Sequence, residues 1–459
     1  MIVAWVKHKR QRLACHGIAS DTNLARLSSA EQSAMSFLFV SNSVPPSCPT
    51  HSVVNQIQIM LETVQAAPPD AILGLSAAYK EDTRPEKINL SVGVYQDESG
   101  KTPTLECVTI AEQRLAAAAS VKSYLPIPGA PEYGDVVRQL AFGSEHEVVQ
   151  AGRAATAHTP GGTGALRVTG DFLNANFPKL TLWLSQPTWP NHPNIFGAAG
   201  VKISTYSYFD KATNSLDFEG MLAAIHRMPA GDAILLHGCC HNPTGIDPTA
   251  EQWTQIADAV YGRGLLPILD FAYQGFADGI EQDAVGLRAF ARPGAELLVC
   301  SSFSKNFGLY RERVGALSIV CPQASQVPVV QSQLNKVIRC NYSNPPAHGA
   351  AIVNTVLRDE VLRIKWEAEV ATMRDRINGM RQQLVDALVE KQVPGDYSFI
   401  TAQRGMFSFS GLTPEQVETL RTEHAIYIVG SGRINVAGLT PANVDHVAEA
   451  ISQVVAQPA

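Results

Sequence analysis

The chain has 459 residues, 45% of them hydrophobic and 17% charged, with a formal charge of −6. That length exceeds what one growing core sustains, so two domains are expected, and the lack of a basic excess argues against a nucleic-acid partner. Eight cysteines (Cys15, Cys48, Cys107, Cys239, Cys240, Cys300, Cys321 and Cys340) form no CxxC pair, which fits a reducing compartment, and no stretch approaches the ~18 apolar residues of a membrane-spanning helix.

Residues 1–59 stand apart from the rest. They carry Lys7, Lys9, Arg10, Arg12 and Arg26 against Asp21 and Glu31, then VSNSVPPSCPT, which has neither helical nor strand period. This segment is expected to be disordered or not native, with Met60 opening the first well-patterned part of the chain. Its basic, acid-poor composition also matches a transit peptide, a less favoured reading, so the protein is expected in the cytoplasm.

From about 150 to 320, short apolar runs alternate with helical patterns, the mark of an α/β fold with a mainly parallel sheet. Strands are expected at 180–184, 233–237, 265–269, 297–300 and 314–320. Between two of them lies a helix in which Asp247 is placed as cap, Pro248 in the first turn, and Trp253, Ile256, Ala257 and Val260 on one face. Further on, Trp366, Val370, Met373, Ile377, Met380, Leu384 and Leu388 recur at steps of three and four, predicting a long amphipathic helix. The remainder mixes short strand-like runs with one helix after Thr413, as in a smaller α+β domain.

Ligands of open parallel sheets gather beyond the carboxyl ends of the strands. Three polar residues stand there: Asp270 in LLPILDFAYQGF, followed by Tyr273; Asn242 in HGCCHNPTG; and Lys305 in SSFSKNFGLYRERVG. A carboxylate, a phenol, an amide and an amine brought together and buried need a polar ligand. Pyridoxal phosphate satisfies all four, offering an aldehyde to the amine, a ring nitrogen to the carboxylate and a ring oxygen to the phenol or amide. Arg313, Ser302 and Ser304 supply donors for its phosphate. His237, Cys239 and His241 alternate and could face a metal, yet their setting favours none; His237 and His192 are read instead as supports of the pocket.

The segment SFSKNFGLYRERVG resembles the cofactor-attachment motif of class I aminotransferases. From Met60 onward the chain is similar to their aspartate and aromatic (tyrosine) branch, through INLSVGVY, TPGGTGALR, HGCCHNPTGIDPT, DFAYQGF, NYSNPPAHG, GMFSFSGL and SGRINVAG. The resemblance implies fold-type I, with a seven-stranded, mainly parallel sheet in a large domain at 100–372 and a smaller α+β domain from 60–99 and 373–459. It implies that Lys305 holds the cofactor and moves a proton, which requires its pKa to fall well below the ordinary ~10.4. Asp270 would hold the ring nitrogen, Tyr273 and Asn242 the ring oxygen, Trp189 the ring face, and Gly162 and Thr163 the phosphate at a helix start. For the amino acid, Arg433 would take the α-carboxylate with help from Asn242 and Gly93. Arg339 and Tyr124 would cross from a second subunit to the distal carboxylate and the phosphate, so a homodimer with shared sites is implied.

Val94, Thr102, Thr163 and Asn344 read the aspartate way, Ser91 resembles the aromatic branch, and Gln96 and Ser123 match neither. The function expected is amino-group transfer between aspartate or glutamate and the corresponding 2-oxo acids. The alternatives are aromatic or dual specificity and, more remotely, a cofactor-binding regulator without turnover.

Overall fold

The computed structural model describes residues 60–67, 73–118 and 121–456. Residues 1–59, singled out above, lie outside the described residues. Residues 60–67 belong to a separate compact unit and contain one 3-10 turn, Met60–Thr63. All that follows concerns the other unit.

Its centre is a seven-stranded sheet. In chain order the short strand β1 (Ile88–Asn89) comes first, followed by three sheet strands, β2 (Ala154–Pro160), β3 (Thr181–Gln186) and β4 (Lys202–Ser207). A small hairpin, β5 (Phe209–Asp210) with β6 (Ser215–Leu216), leads to β7 (Ala233–His237), β8 (Leu266–Phe271), β9 (Leu297–Ser302) and β10 (Val314–Val320). Spatially the sheet runs β2-β10-β9-β8-β7-β3-β4. All pairs are parallel except those of β10, which runs antiparallel to both β2 and β9.

Every residue of β7, β9 and β10 is buried. Side chains alternate between two cores, as a strand covered on both faces must arrange them. Leu182, Leu235, Ile268 and Leu298 meet Leu166, Phe196 and Ile338 on one side, whereas Ile234, Leu236, Leu269 and Val299 join Ile256, Val260 and Ile352 on the other. The seven-stranded sheet expected from the resemblance is therefore present. The strands at 233–237 and 314–320 match their predicted bounds, while β3, β8 and β9 each extend past them at the carboxyl end.

Five helices matter below: α1 (Gly161–Asn176), α2 (Asn191–Ala198), α3 (Ala250–Gly262), α4 (Val327–Asn341) and α5 (Glu360–Glu390). The cap expected for α3 needs correction. Thr249, not Asp247, accepts from the Gln252 backbone N–H, and Gln252 returns the bond, closing a capping box. Asp247 instead receives the backbone N–H groups of Cys240 (2.6 Å) and His241 (2.9 Å). Helix α5 buries all seven residues of the predicted stripe, and Asp359 caps it by accepting from Leu362 N–H at 3.0 Å.

Two smaller pairings complete the chain. β1 lies parallel to β12 (Ile426–Tyr427), and β11 (Phe407–Phe409) lies antiparallel to β13 (Arg433–Asn435). The helix expected after Thr413 is there, with Thr413 as its cap. Among the described residues no helix is long and apolar enough to cross a membrane.

Candidate active site

Parallel register aligns the strand ends. His237 pairs with Asp270, and Asp270 with Cys300, so the loops leaving β7, β8 and β9 emerge side by side. They open into a cavity of about 630 Å³. Asp270, Tyr273, Asn242 and Lys305 all line it, as the strand-end argument required. So do Trp189, Gly162, Thr163, Ser302, Ser304, Arg313, Gly93 and Arg433.

Lys305 points over Tyr273, its Nζ 4.6 Å from the ring centroid. Burial lowers its pKa to about 8; the negative charge of Asp270 opposes that fall and the Arg313 cation adds to it. A substantial neutral fraction at physiological pH follows, which a lysine acting as base or nucleophile requires. Tyr273 is pushed above the ordinary phenol value by burial and stays protonated.

Asp270 shows the opposite balance. Burial alone would raise its pKa, but chiefly a hydrogen bond from His192 Nε2 at 2.9 Å, with the nearby Lys305 amine, outweighs it and holds the carboxyl below its usual value. The ring of His192 is fixed in turn by Thr188 Oγ1, 2.7 Å from Nδ1, and the same hydroxyl lies 3.2 Å from His237 Nε2. His237 accepts the Asn242 backbone N–H at 3.2 Å, and burial drops its pKa to about 3, so it stays neutral. Trp189 meets His192 edge to face at 5.3 Å. The supporting place read for His192 and His237 thus rests on contacts.

Two guanidiniums face the cavity without an acidic partner among the described residues. Arg313 donates to Ser304 Oγ at 3.3 Å and to the Tyr310 carbonyl at 3.2 Å. It sits against the start of α1: a Cβ on Gly161 (φ +73°) would lie 2.4 Å from Arg313 Nη2, and one on Gly162 would lie 3.0 Å from the Ser302 Cβ. Glycine alone lets the helix terminus, with its unpaired N–H groups, come this close to the Arg313 side chain and the two serines, and the result is a cradle for an anion. Arg433 is 2% exposed, donates to Asn242 Oδ1 at 3.2 Å and to the Ser91 carbonyl at 2.6 Å, and rests 4.1 Å from the Phe407 ring centroid. Its buried Nε has no partner. A desolvated cation with a donor to spare requires an anionic ligand.

Tyr124 and Arg339 are elsewhere. Tyr124 is 93% exposed and borders a second cavity with Asn344 and His348; Arg339 is exposed in the last turn of α4, bonded to Ser343. Neither enters its own chain's site. The metal-like alternation at 237–241 also separates: His237 and His241 pack ring against ring at 4.2 Å, while Cys239 groups with Cys240 and Asp283. The Asp283 carboxylate is occupied by four backbone N–H groups.

Sequence reasoning missed Thr188, Tyr310 and Phe407. Thr188 directly precedes the selected Trp189, and the other two lie within motifs already quoted, but nothing in their residue type marked them.

Comparison with known proteins agrees with this geometry. Residues 85–451 match the family model of aminotransferase class I and II. An aspartate aminotransferase of Salmonella typhi is 53% identical over 86% of this chain and 100% of its own length. An aromatic-amino-acid aminotransferase of Pseudomonas aeruginosa is 49% identical over 86% and 98%. The crystal structure of an aromatic-amino-acid aminotransferase from Burkholderia pseudomallei, covalently bound to pyridoxal phosphate, superposes with a TM-score of 0.84 at 48% identity, covering 86% of this chain and 99% of that one. With an amine, a carboxylate and two unpaired guanidiniums around one cavity, and such relatives across most of its length, the chain belongs to the class I and II aminotransferases.

Proposed function

We propose that this protein is a pyridoxal-phosphate-dependent aspartate aminotransferase, moving the amino group between aspartate or glutamate and their 2-oxo acids by a ping-pong route. The observation that carries the proposal is the pair of acid-free guanidiniums, Arg313 and Arg433, in the cavity that also holds Lys305 and Asp270. One suits a phosphate and the other a carboxylate, the two anions of this cofactor and substrate.

When bound, pyridoxal phosphate supplies an aldehyde that takes up the amine and a ring that spreads the electron pair left when the Cα proton departs. The residues of the chain do the rest. Arg313, Ser302, Ser304, Thr163 and the Gly162 backbone hold the phosphate. Asp270, kept ionised by His192, would meet the ring nitrogen, Tyr273 and Asn242 would give hydrogen bonds to the ring oxygen, and Trp189 would cover the ring. Arg433 fixes the α-carboxylate beside Gly93. Lys305 would be the amine that holds the cofactor and, once displaced by the amine of the substrate, would be placed to hold the proton taken from Cα.

Tyr124 and Arg339 belong, in this reading, to the site of a second subunit. Their exposure supports it, as does the 85% exposure of Val121 beside Tyr124, an apolar side chain that an interface would cover. Of the smaller domain expected at 60–99 and 373–459, residues 73–99 join 373–456 in a part that closes over substrate. The pairing of β1 with β12 supports this division, as do the bonds from Arg433 and Asn435 to residues 91–94, because they tie the first segment to the last. Six free cysteines among the described residues support a cytoplasmic setting.

The second reading, aromatic or dual specificity, is favoured by Ser91 and by the 49% identical aromatic relative. Mixing the holoprotein with aspartate or phenylalanine and following loss of the cofactor's aldehyde absorbance separates the readings. Faster conversion by aspartate is expected. Much faster conversion by phenylalanine would select the aromatic reading, and no conversion by either would leave a binding protein.

A further inference from the structure

Residues 91–95 form one lip of the cavity through Gly93, and β13 holds them from one side. Asn435 Nδ2 donates to the carbonyls of Val92 (2.7 Å) and Val94 (3.1 Å), the Asn435 backbone N–H to Leu90 (2.8 Å), and Arg433 to Ser91. On the other side stands Tyr310, on the same loop as Lys305 and also lining the cavity. Its phenol oxygen accepts the Tyr95 backbone N–H at 3.0 Å. Among the described residues no other hydrogen bond joins 89–97 to the lysine loop at 303–313.

The lip has little slack. A Cβ at Gly93 would lie 2.6 Å from Phe407 Cζ, and the Phe407 ring is the surface on which the Arg433 guanidinium rests. The Tyr95 ring lies 5.5 Å from the Arg376 guanidinium, which also donates to the carbonyls of Asp97 and Leu439 and so anchors the far end of the segment to α5. A shift of 91–95 therefore moves the Ser91 carbonyl that orients Arg433 and the wall behind it. Burial raises the Tyr310 pKa to about 12, so the phenol stays neutral across the working range and keeps its hydrogen-bond acceptor intact.

We propose that Tyr310 is a positioning residue, a latch whose phenol ties the 91–95 lip to the lysine loop and thereby sets the register of the Arg433 carboxylate grip against Lys305. The inference rests on the aminotransferase reading and adds a residue that reading does not use. Losing one neutral hydrogen bond to a buried backbone donor corresponds to about a fivefold effect.

The test compares the Tyr310→Phe holoprotein, which keeps the ring, with its parent. Expected are a KM for aspartate raised about fivefold with kcat nearly unchanged, the same cofactor affinity and absorbance, and faster hydrogen exchange at the Tyr95 amide. A residue of merely structural importance would lower thermal stability and leave KM alone. Parental KM and parental Tyr95 exchange in the variant would overturn the latch. Failure of the parent itself to convert aspartate would instead overturn the functional reading beneath it.

Discussion

The strand-end residues on one side and Tyr124 and Arg339 on the other were all given roles by one resemblance, yet the fold brings only the first group around a common cavity. Arg433 is sunk in the structure, fixed by a side-chain amide, a carbonyl and an aromatic face. Arg339 is exposed and, among the described residues, hydrogen-bonds only to Ser343. A buried cation whose donors are already aimed is preorganised for an anion, whereas an exposed one gains little from any single partner. The contrast teaches that the fold of a single chain already aims Arg433 into the strand-end cavity, while it leaves Tyr124 and Arg339 outside that cavity.

Three perturbations sharpen that contrast. The largest effect is expected for Arg433→Lys, which keeps the charge but loses the planar fork: kcat/KM should fall about a hundredfold for aspartate and phenylalanine alike, measured in steady state. Equal activity would mean that the α-carboxylate binds elsewhere. Arg339→Ala should be smaller and selective, about tenfold on aspartate with phenylalanine spared. Mixing its subunits with Lys305→Ala subunits should restore aspartate turnover, since one site of each hybrid then has both residues intact. Hybrids as inactive as the parents would place Arg339 within its own subunit's site or outside any site.

The smallest effect is on stability and comes from Lys305. Its folded pKa of about 8 lies below the 10.5 of an unperturbed lysine, so the fold disfavours the charged form. The destabilising contribution of Lys305 is absent above pH 10.5, grows as pH falls toward 8, and is complete below that. Lys305→Met apoprotein should accordingly melt a few degrees above its parent at pH 7, the gap narrowing as pH rises from 8 to 10.5 in a thermal scan. A constant gap would show that packing, not charge, causes the difference.

Much of the centre was legible because its strands are nearly unbroken apolar runs, and a run buried on both faces can be recognised without knowing its neighbours. AILLH and VGALSIV gave their own limits. The two edge strands did not: β2 (AATAHTP) lacks large apolar residues, and β4 (KISTYS) is largely open to solvent, so neither carries the pattern. Asp247 illustrates a different loss. It has the right residue type and place for a helix cap, but the turn at Cys240 and His241 claims its carboxylate, a competition between distant backbone donors that spacing does not reveal. Thr188, Tyr310 and Phe407 act by orienting other groups, and such roles exist only in three dimensions.

The central claim is that Lys305 is the amine that takes up the cofactor. Reducing the native holoprotein with borohydride and mapping the modified peptide by mass spectrometry tests it directly. The account predicts a single phosphopyridoxyl mass on Lys305; the same mass on any other lysine, with Lys305 unmodified, would contradict it.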